Sequence, residues 1–426
     1  MEQICLDQKI KKILKEKKEY KENEIQIENL KVYQVLETFN SEEIQKISNV
    51  SILSKKRSKI IEMTIGEDLL FTLSDLGIGS IFDLKNPKNN LGFLNLRNDE
   101  IIRSIHFNKL NLSLITVSVF KEDEFSTLHC RTTYVEFFKR KKSNQGNLIF
   151  ESESLKWPGF VEFDDLNSKI LTYCSQKLEY KIWNLKNYQC LYILNDAKIQ
   201  EVKITLGIIL LIFPQKSNRI KVKLIEIESG NEFWNRKIEL KRNRGIEFIE
   251  QFNEKILIKQ EREKLRILEI KTGKEKIIEK EIFPTPNAFI FLYYSQMILV
   301  FSSGKISLWS WNGKKIHNFG KVMNEDQKRN QLFISKNQEF LFCYVEDDLF
   351  QSGSLKMFDL NCFKSSTLTF DNSLSISCLI GNGIGNERKK IEISNPLEGI
   401  SCIYYDQEKI RFLSGNSQGL VYLWDF

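Results

Sequence analysis

The stretch Leu413-Ser414-Gly415-Asn416-Ser417-Gln418-Gly419-Leu420-Val421-Tyr422-Leu423-Trp424-Asp425 carries the fold in miniature. An apolar start leads into a tight turn of small polar residues, and a second apolar run closes on an aromatic-plus-polar pair, Trp424-Asp425. Strand-like patterning on both sides of an Asn, Ser and Gly turn reads as two antiparallel strands. Upstream, similar endings recur at Ile81-Phe82-Asp83, Val135-Glu136-Phe137, Ile182-Trp183-Asn184, Leu224-Ile225-Glu226, Ile267-Leu268-Glu269, Leu308-Trp309-Ser310 and Met357-Phe358-Asp359, which makes eight in all. The middle positions 184, 226, 269 and 310 lie 41–43 residues apart.

A second phrase repeats with the first. Phe107-Asn108-Lys109, Phe163-Asp164-Asp165, Phe252-Asn253-Glu254 and Tyr405-Asp406-Gln407 each precede a new apolar run. Asn and Asp suit such turns because their short side chains bond the nearby backbone and tolerate unusual φ. Strand, turn and strand at a period near 40–45 residues imply an all-β propeller, a ring of four-stranded sheets that bury their faces on one another. Residues 59–426 give 46 residues per blade for eight blades. Seven blades would need about 53, further from the usual repeat, so eight is expected and seven is the alternative.

The segment from Leu413 to Asp425 resembles the close of a WD40 repeat, which implies a WD40-type β-propeller. The stretch from Asn98 to Leu191, above all Glu151 to Asp165, also resembles an uncharacterised transducin/WD40-like family of plants and algae, and that likeness runs through most of the chain. It implies a fold and no chemistry. Two features depart from the WD pattern. There is no Gly-His dipeptide, the only histidines being His106, His129 and His317, and no Asp stands near Ser417. The Asp-His-Ser-Trp hydrogen-bond tetrad is therefore not expected, and apolar packing between blades is left to supply rigidity.

The last blade has three strands before Phe426, so its outer strand is expected from elsewhere. Lys31-Val32-Tyr33-Gln34-Val35-Leu36-Glu37-Thr38-Phe39 alternates as a strand does and precedes the first full unit. The expected organisation is a charged helical or disordered tail over 1–30 and one propeller over 31–426, closed by 31–39, with a loop insertion over 370–395 in the last blade.

Composition narrows the function classes. The net charge of +7 on 426 residues is modest, whereas an electrostatic binder of nucleic acid concentrates charge in a stripe. The eight cysteines, Cys5, Cys130, Cys174, Cys190, Cys343, Cys362, Cys378 and Cys402, form no C-x-x-C pair and read as reduced thiols, without a structural metal. The apolar stretches at 206–213 and 289–301 fall short of the roughly 20 residues of a membrane span. The first thirty residues balance seven lysines with seven acids, unlike a signal or transit peptide, so cytoplasm or nucleus is the expected location. Three isolated histidines give few ways to activate a nucleophile, and Gly77-Ile78-Gly79-Ser80 and Gly383-Ile384-Gly385 lack the ending of a phosphate-binding loop. No enzyme activity and no cofactor are expected.

What remains is a non-catalytic scaffold or adaptor, a monomer within a larger assembly of proteins. The loops entering the innermost strand of each blade should gather on one face. They carry Arg97, Trp157, Pro158, Lys241, Arg242, Arg244, Pro284 and Pro286. Trp and Arg are enriched among interface hot spots, and Pro fixes a loop so that less entropy is lost on binding. The alternative is an RNA-associated propeller in RNA processing or ribosome assembly, with basic loops such as Lys139 to Lys142 and Lys241 to Arg244 on phosphate.

Overall fold

A computed structural model of the chain describes residues 29–38, 58–370 and 396–425, apart from short stretches at 87–89, 126, 141–145, 154–159, 196–197, 253, 280–282, 285, 294, 322–329, 336, 348–351, 364, 407–408 and 410. The expected tail over 1–28 and nearly all of the insertion over 370–395 lie outside the described residues. The strands form eight antiparallel units of four: blade 1 over 60–93, blade 2 over 100–153, blade 3 over 160–195, blade 4 over 201–239, blade 5 over 246–278, blade 6 over 288–321 and blade 7 over 330–370. Blade 8 takes three strands from 400–425 and its fourth from Asn29–Glu37. The protein is an eight-bladed β-propeller.

The closing strand, Asn29–Glu37, runs antiparallel to Leu420–Asp425 from Lys31 opposite Asp425 to Glu37 opposite Leu420. It lies two residues before the expected 31–39. Its start also pairs in parallel with blade 7, Asn29 with Thr369 and Leu30 with Phe370, so blades 7 and 8 share one sheet of eight strands. Its end is fastened by Thr38, whose hydroxyl donates to the Gly419 carbonyl at 2.8 Å and whose carbonyl accepts from Ser80 Oγ at 3.1 Å.

The repeated strand ending has a mechanical meaning. The third strand of every blade except blade 2 ends as read, and its penultimate residue packs on the preceding blade. Trp183 of blade 3 shares a core with Val117 and Phe150 of blade 2, Trp309 of blade 6 with Phe248 and Leu257 of blade 5, and Trp424 of blade 8 with Phe342 and Leu355 of blade 7. Phe82 and Phe358 do the same for blades 1 and 7. In blade 2 the reading Val135-Glu136-Phe137 is corrected. Its third strand stops at Tyr134, and a short helix, Val135–Lys139, follows. The equivalent strand position is Thr133, opposite Leu114, which is too small to reach blade 1. The helix makes the contact instead, through Val135 and through Phe138, whose ring lies 5.4 Å edge-on to Phe71.

Polar bonds add to the apolar packing at every seam, which the sequence did not announce. The Ile105 amide donates to Glu62 at 3.0 Å between blades 1 and 2. Asn108 donates to the Leu185 carbonyl at 2.6 Å between blades 2 and 3, and Asn167 to the Thr205 carbonyl at 2.8 Å between blades 3 and 4. Lys203 and Glu250 join blades 4 and 5, and Lys276 reaches the Asn312 carbonyl at 3.2 Å between blades 5 and 6. Gln338 accepts from the Tyr293 amide at 2.8 Å between blades 6 and 7. The Gly399 amide, just before the first strand of blade 8, donates to the Tyr344 hydroxyl of blade 7 at 3.0 Å, and Ser401 of blade 8 donates to the Ile60 carbonyl of blade 1 at 2.6 Å. Two third-strand tryptophans are also pinned within their own blades. The indole nitrogens of Trp183 and Trp424 donate to Thr172 at 2.9 Å and Ser414 at 2.8 Å on the neighbouring strand. At the last tight turn, Asn416 Oδ1 accepts from the Gln418 and Leu420 amides where an Asp was missing.

Two predictions follow from closure and packing. Deleting residues 1–28 is expected to leave thermal stability near that of the intact chain, whereas deleting residues 1–40 exposes the ladder of Leu420–Asp425 and causes aggregation or a large loss of stability. Equal melting temperatures for the two truncations would contradict closure by Asn29–Glu37. Trp424, only 2% exposed, is expected to cost about 3–5 kcal/mol on truncation to Ala. A loss under about 1 kcal/mol in chemical denaturation would mean that the ring does not fill the seam.

Candidate functional site

Antiparallel order within each blade sends the loops entering first strands and the loops joining second to third strands to the same face of the ring. Bonds between neighbouring loops confirm the grouping. The Lys121 amide donates to the Asp99 carbonyl at 3.0 Å, Asn95 donates to the Gly77 carbonyl at 2.9 Å, and the Glu261 amide donates to the Gly245 carbonyl at 2.9 Å.

The structure brings most of the sequence-derived residues to this face. Arg97 lies in the loop between blades 1 and 2, its guanidinium 5.0 Å over the Phe120 ring and ion-paired with Asp99 and Glu122. Its charge is thus engaged within the protein. Lys241, Arg242 and Arg244 lie in the loop between blades 4 and 5. Arg242, Arg244 and Gly245 line an open cavity of about 590 Å³ with Gln215 and Ser217 of the neighbouring turn. Arg244 stands 3.8 Å from Glu263. Pro284 and Pro286 are half-buried in the loop between blades 5 and 6. Trp157 and Pro158 lie outside the described residues.

The sequence reading missed five large apolar side chains on the same face, Leu76, Leu96, Phe125, Phe160 and Leu178, each between 38 and 49% exposed. Single exposed apolar residues need no explanation. These occupy successive loop tips and strand starts of blades 1, 2 and 3. Phe125 and Leu178 sit at φ of 62° and 54°, a left-handed conformation that costs a bulky residue about 1–2 kcal/mol. Apart from Leu112, other residues at positive φ are polar, as at Ser217, Asn243 and Arg262, or packed, as with Phe363 stacked on His317 at 5.2 Å. On the opposite face Leu112, at φ 52°, stands exposed beside Leu110 in one blade.

The loops under these side chains are firmly held. The Leu96 amide donates to Glu100 at 2.7 Å, and Glu100 is buried in an ion pair with Arg131. The Leu76 turn is tied by the Asp75 amide to the Lys59 carbonyl at 2.9 Å and by Ser58 to the Asp75 carboxylate. The Phe125 amide returns to the Phe120 carbonyl at 2.9 Å. Phe160 rests on Tyr173, with ring centroids 5.6 Å apart. Tips fixed this way lose little entropy when a surface docks on them.

The inner wall carries carboxylates. Burial raises Glu162, Asp164 and Glu250 above the ordinary carboxylate range, with Asp164 adding to the effect on Glu162 and Lys203 countering it at Glu250. Burial also pushes up the Tyr293 hydroxyl, helped by the charges of Glu250, Asp164 and Glu162, which places groups from blades 3, 5 and 6 around one space. Among the described residues no three His, Cys, Asp or Glu side chains are grouped to hold a metal ion. His106, half-buried, stacks on Phe163 at 4.4 Å with Nε2 3.1 Å from Asp165, and so serves the seam between blades 2 and 3.

Comparison with known proteins assigns the chain to a family. The profile of a domain of unknown function, DUF7899, matches residues 15–424. The chain belongs to the DUF7899 family. Its match spans the ring from before the closing strand to Trp424. No curated protein matches the chain. Among solved structures it is similar to the computationally designed protein Ika8, at 13% identity and a TM-score of 0.49 over 88% of this chain and 98% of that one.

The raised Glu162 pKa gives a pH test of the inner wall. With a folded pKa above its unfolded value, the ionised carboxylate opposes folding at neutral pH, and the penalty lifts as pH falls through the raised pKa. Glu162→Gln is therefore expected to raise the melting temperature at neutral pH and to give no gain well below the ordinary glutamate pKa of 4.5. A gain independent of pH, or a loss at neutral pH, would contradict the placement.

Proposed function

We propose that the chain is a non-catalytic scaffold or adaptor that binds partner proteins, as a monomer within a larger assembly, in the cytoplasm or nucleus. The observation that carries this reading is the row of exposed apolar side chains on blades 1 to 3, two of them at positive φ. The turn between second and third strands sets φ positive in other blades too, as at Ser217, Arg262 and Ser303, but it calls for no bulky, half-exposed apolar residue such as Phe125 or Leu178. Asn or Gly at those tips would relieve strain and give up only the part of each side chain that the protein covers. Residues kept against local stability on rigid loops fit a surface selected for contact. Arg242, Arg244, Pro284 and Pro286 extend the same face. A WD-type origin of the repeats belongs to this reading, supported by the Trp183–Thr172 and Trp424–Ser414 bonds.

The test separates contact from folding. The double variant Phe125→Asn and Leu178→Asn is expected to melt close to the temperature of the unaltered protein, because the backbone strain relieved, about 1–2 kcal/mol per residue, offsets the apolar area each side chain partly buries. The tagged variant, purified from cells of its source organism, should lose proteins that the unaltered chain retains. Destabilisation of the variant would make these side chains structural, and full retention of every partner would move the contact elsewhere.

A further inference from the structure

Resting on that reading, we infer that the partner docks through a segment in which carboxylates stand beside large apolar residues. The apolar tips of blades 1 to 3 share their face with exposed cations that no carboxylate neutralises. Among the described residues Lys121 and Lys177 flank the apolar row without an ion pair, and Lys216, Lys241, Arg242 and Arg262 stand exposed and unpaired on the loops of blades 4 and 5.

Most acids nearby already have partners within the protein. Asp99 and Glu122 hold Arg97, Asp75 accepts from Ser58, Asp123 accepts from the Thr127 amide, and Glu261 accepts from the Gly245 amide. The face therefore offers apolar contact and unpaired positive charge together, and its complement is apolar and acidic. An RNA strand fits less well. Three of the five apolar side chains are leucines, which give a base no ring to stack on, and the cations are spread over separate loops rather than along one groove.

The experiment uses the full-length tagged protein and the complexes it retains. The charge-reversal variant Lys216→Glu, Lys241→Glu and Arg242→Glu, checked for an unchanged melting temperature, is expected to lose the same partners as the Phe125→Asn and Leu178→Asn variant, with yields down about tenfold. A water-soluble carbodiimide, which joins amines directly to carboxylates, should couple Lys216 or Lys241 to Asp or Glu of a partner segment that also carries large apolar residues. Partners retained by the charge-reversal variant but lost by the apolar variant would overturn the acidic class while leaving the contact face in place. Release of the partners by ribonuclease would overturn it in favour of nucleic acid. Retention of every partner by both variants would overturn both readings.

Discussion

A four-stranded sheet with two apolar faces is stable only between two others, so this protein depends on closing its ring. Every seam supplies burial on both sides, and blade 8 is complete only with the strand Asn29–Glu37, whose Leu36 joins the core of the seam with blade 1. Fixing that strand costs loop-closure entropy that grows slowly with length. It is offset by the ladder to Leu420–Asp425, the parallel pairing to Thr369 and Phe370, and the Thr38 bonds to Gly419 and Ser80. The same strand covers the edge of Leu420–Asp425 that would otherwise invite aggregation.

Closure also explains how the chain tolerates a worn repeat. One device, a third-strand residue laid on the preceding blade, recurs with Trp, Phe, Ile or Leu in seven blades and is replaced by a helix in blade 2. Around it, each seam is pinned by a different polar pair. An Asn side chain bonds a carbonyl in one place, a Lys–Glu pair serves in another, and a Tyr hydroxyl in a third. Any one such bond contributes about 1 kcal/mol, but together they set the rotation of each sheet against the next. A rigid frame of this kind lets loop tips carry residues chosen for contact over stability.

The strand endings and the Asn or Asp turns were legible in the sequence because side-chain alternation and turn chemistry are local. Blade 2 was misread because Val135-Glu136-Phe137 imitates a strand ending, whereas the pairing of Leu114 with Thr133 that fixes its true end is a contact across strands. The seam bonds join residues from 43 to 77 positions apart in the examples of Glu62 with Ile105 and Asn108 with Leu185, so no local pattern encodes them. The face bearing Arg97, Lys241, Arg242 and Arg244 could be inferred from strand order alone. The apolar row could not, since one apolar residue inside a turn rich in Asp, Gln and Lys belongs to no periodic pattern. A signal was present all the same in Asp75-Leu76-Gly77, Glu124-Phe125-Ser126 and Lys177-Leu178-Glu179, where one large apolar residue stands at each tip.

The central claim, that Asn29–Glu37 is an integral strand of the last blade, is tested most directly by native-state hydrogen exchange resolved to peptides. Amides that open only when the whole ring opens exchange at the global unfolding rate, while a loosely docked segment exchanges far sooner. The account predicts that those amides of Val32 to Leu36 that pair with Leu420–Asp425, and the amides of Leu420 to Trp424, are protected to the same degree as those of a central strand such as Ile256 to Lys259. Rapid exchange at Val32 to Leu36 beside a protected Ile256 to Lys259 would contradict it.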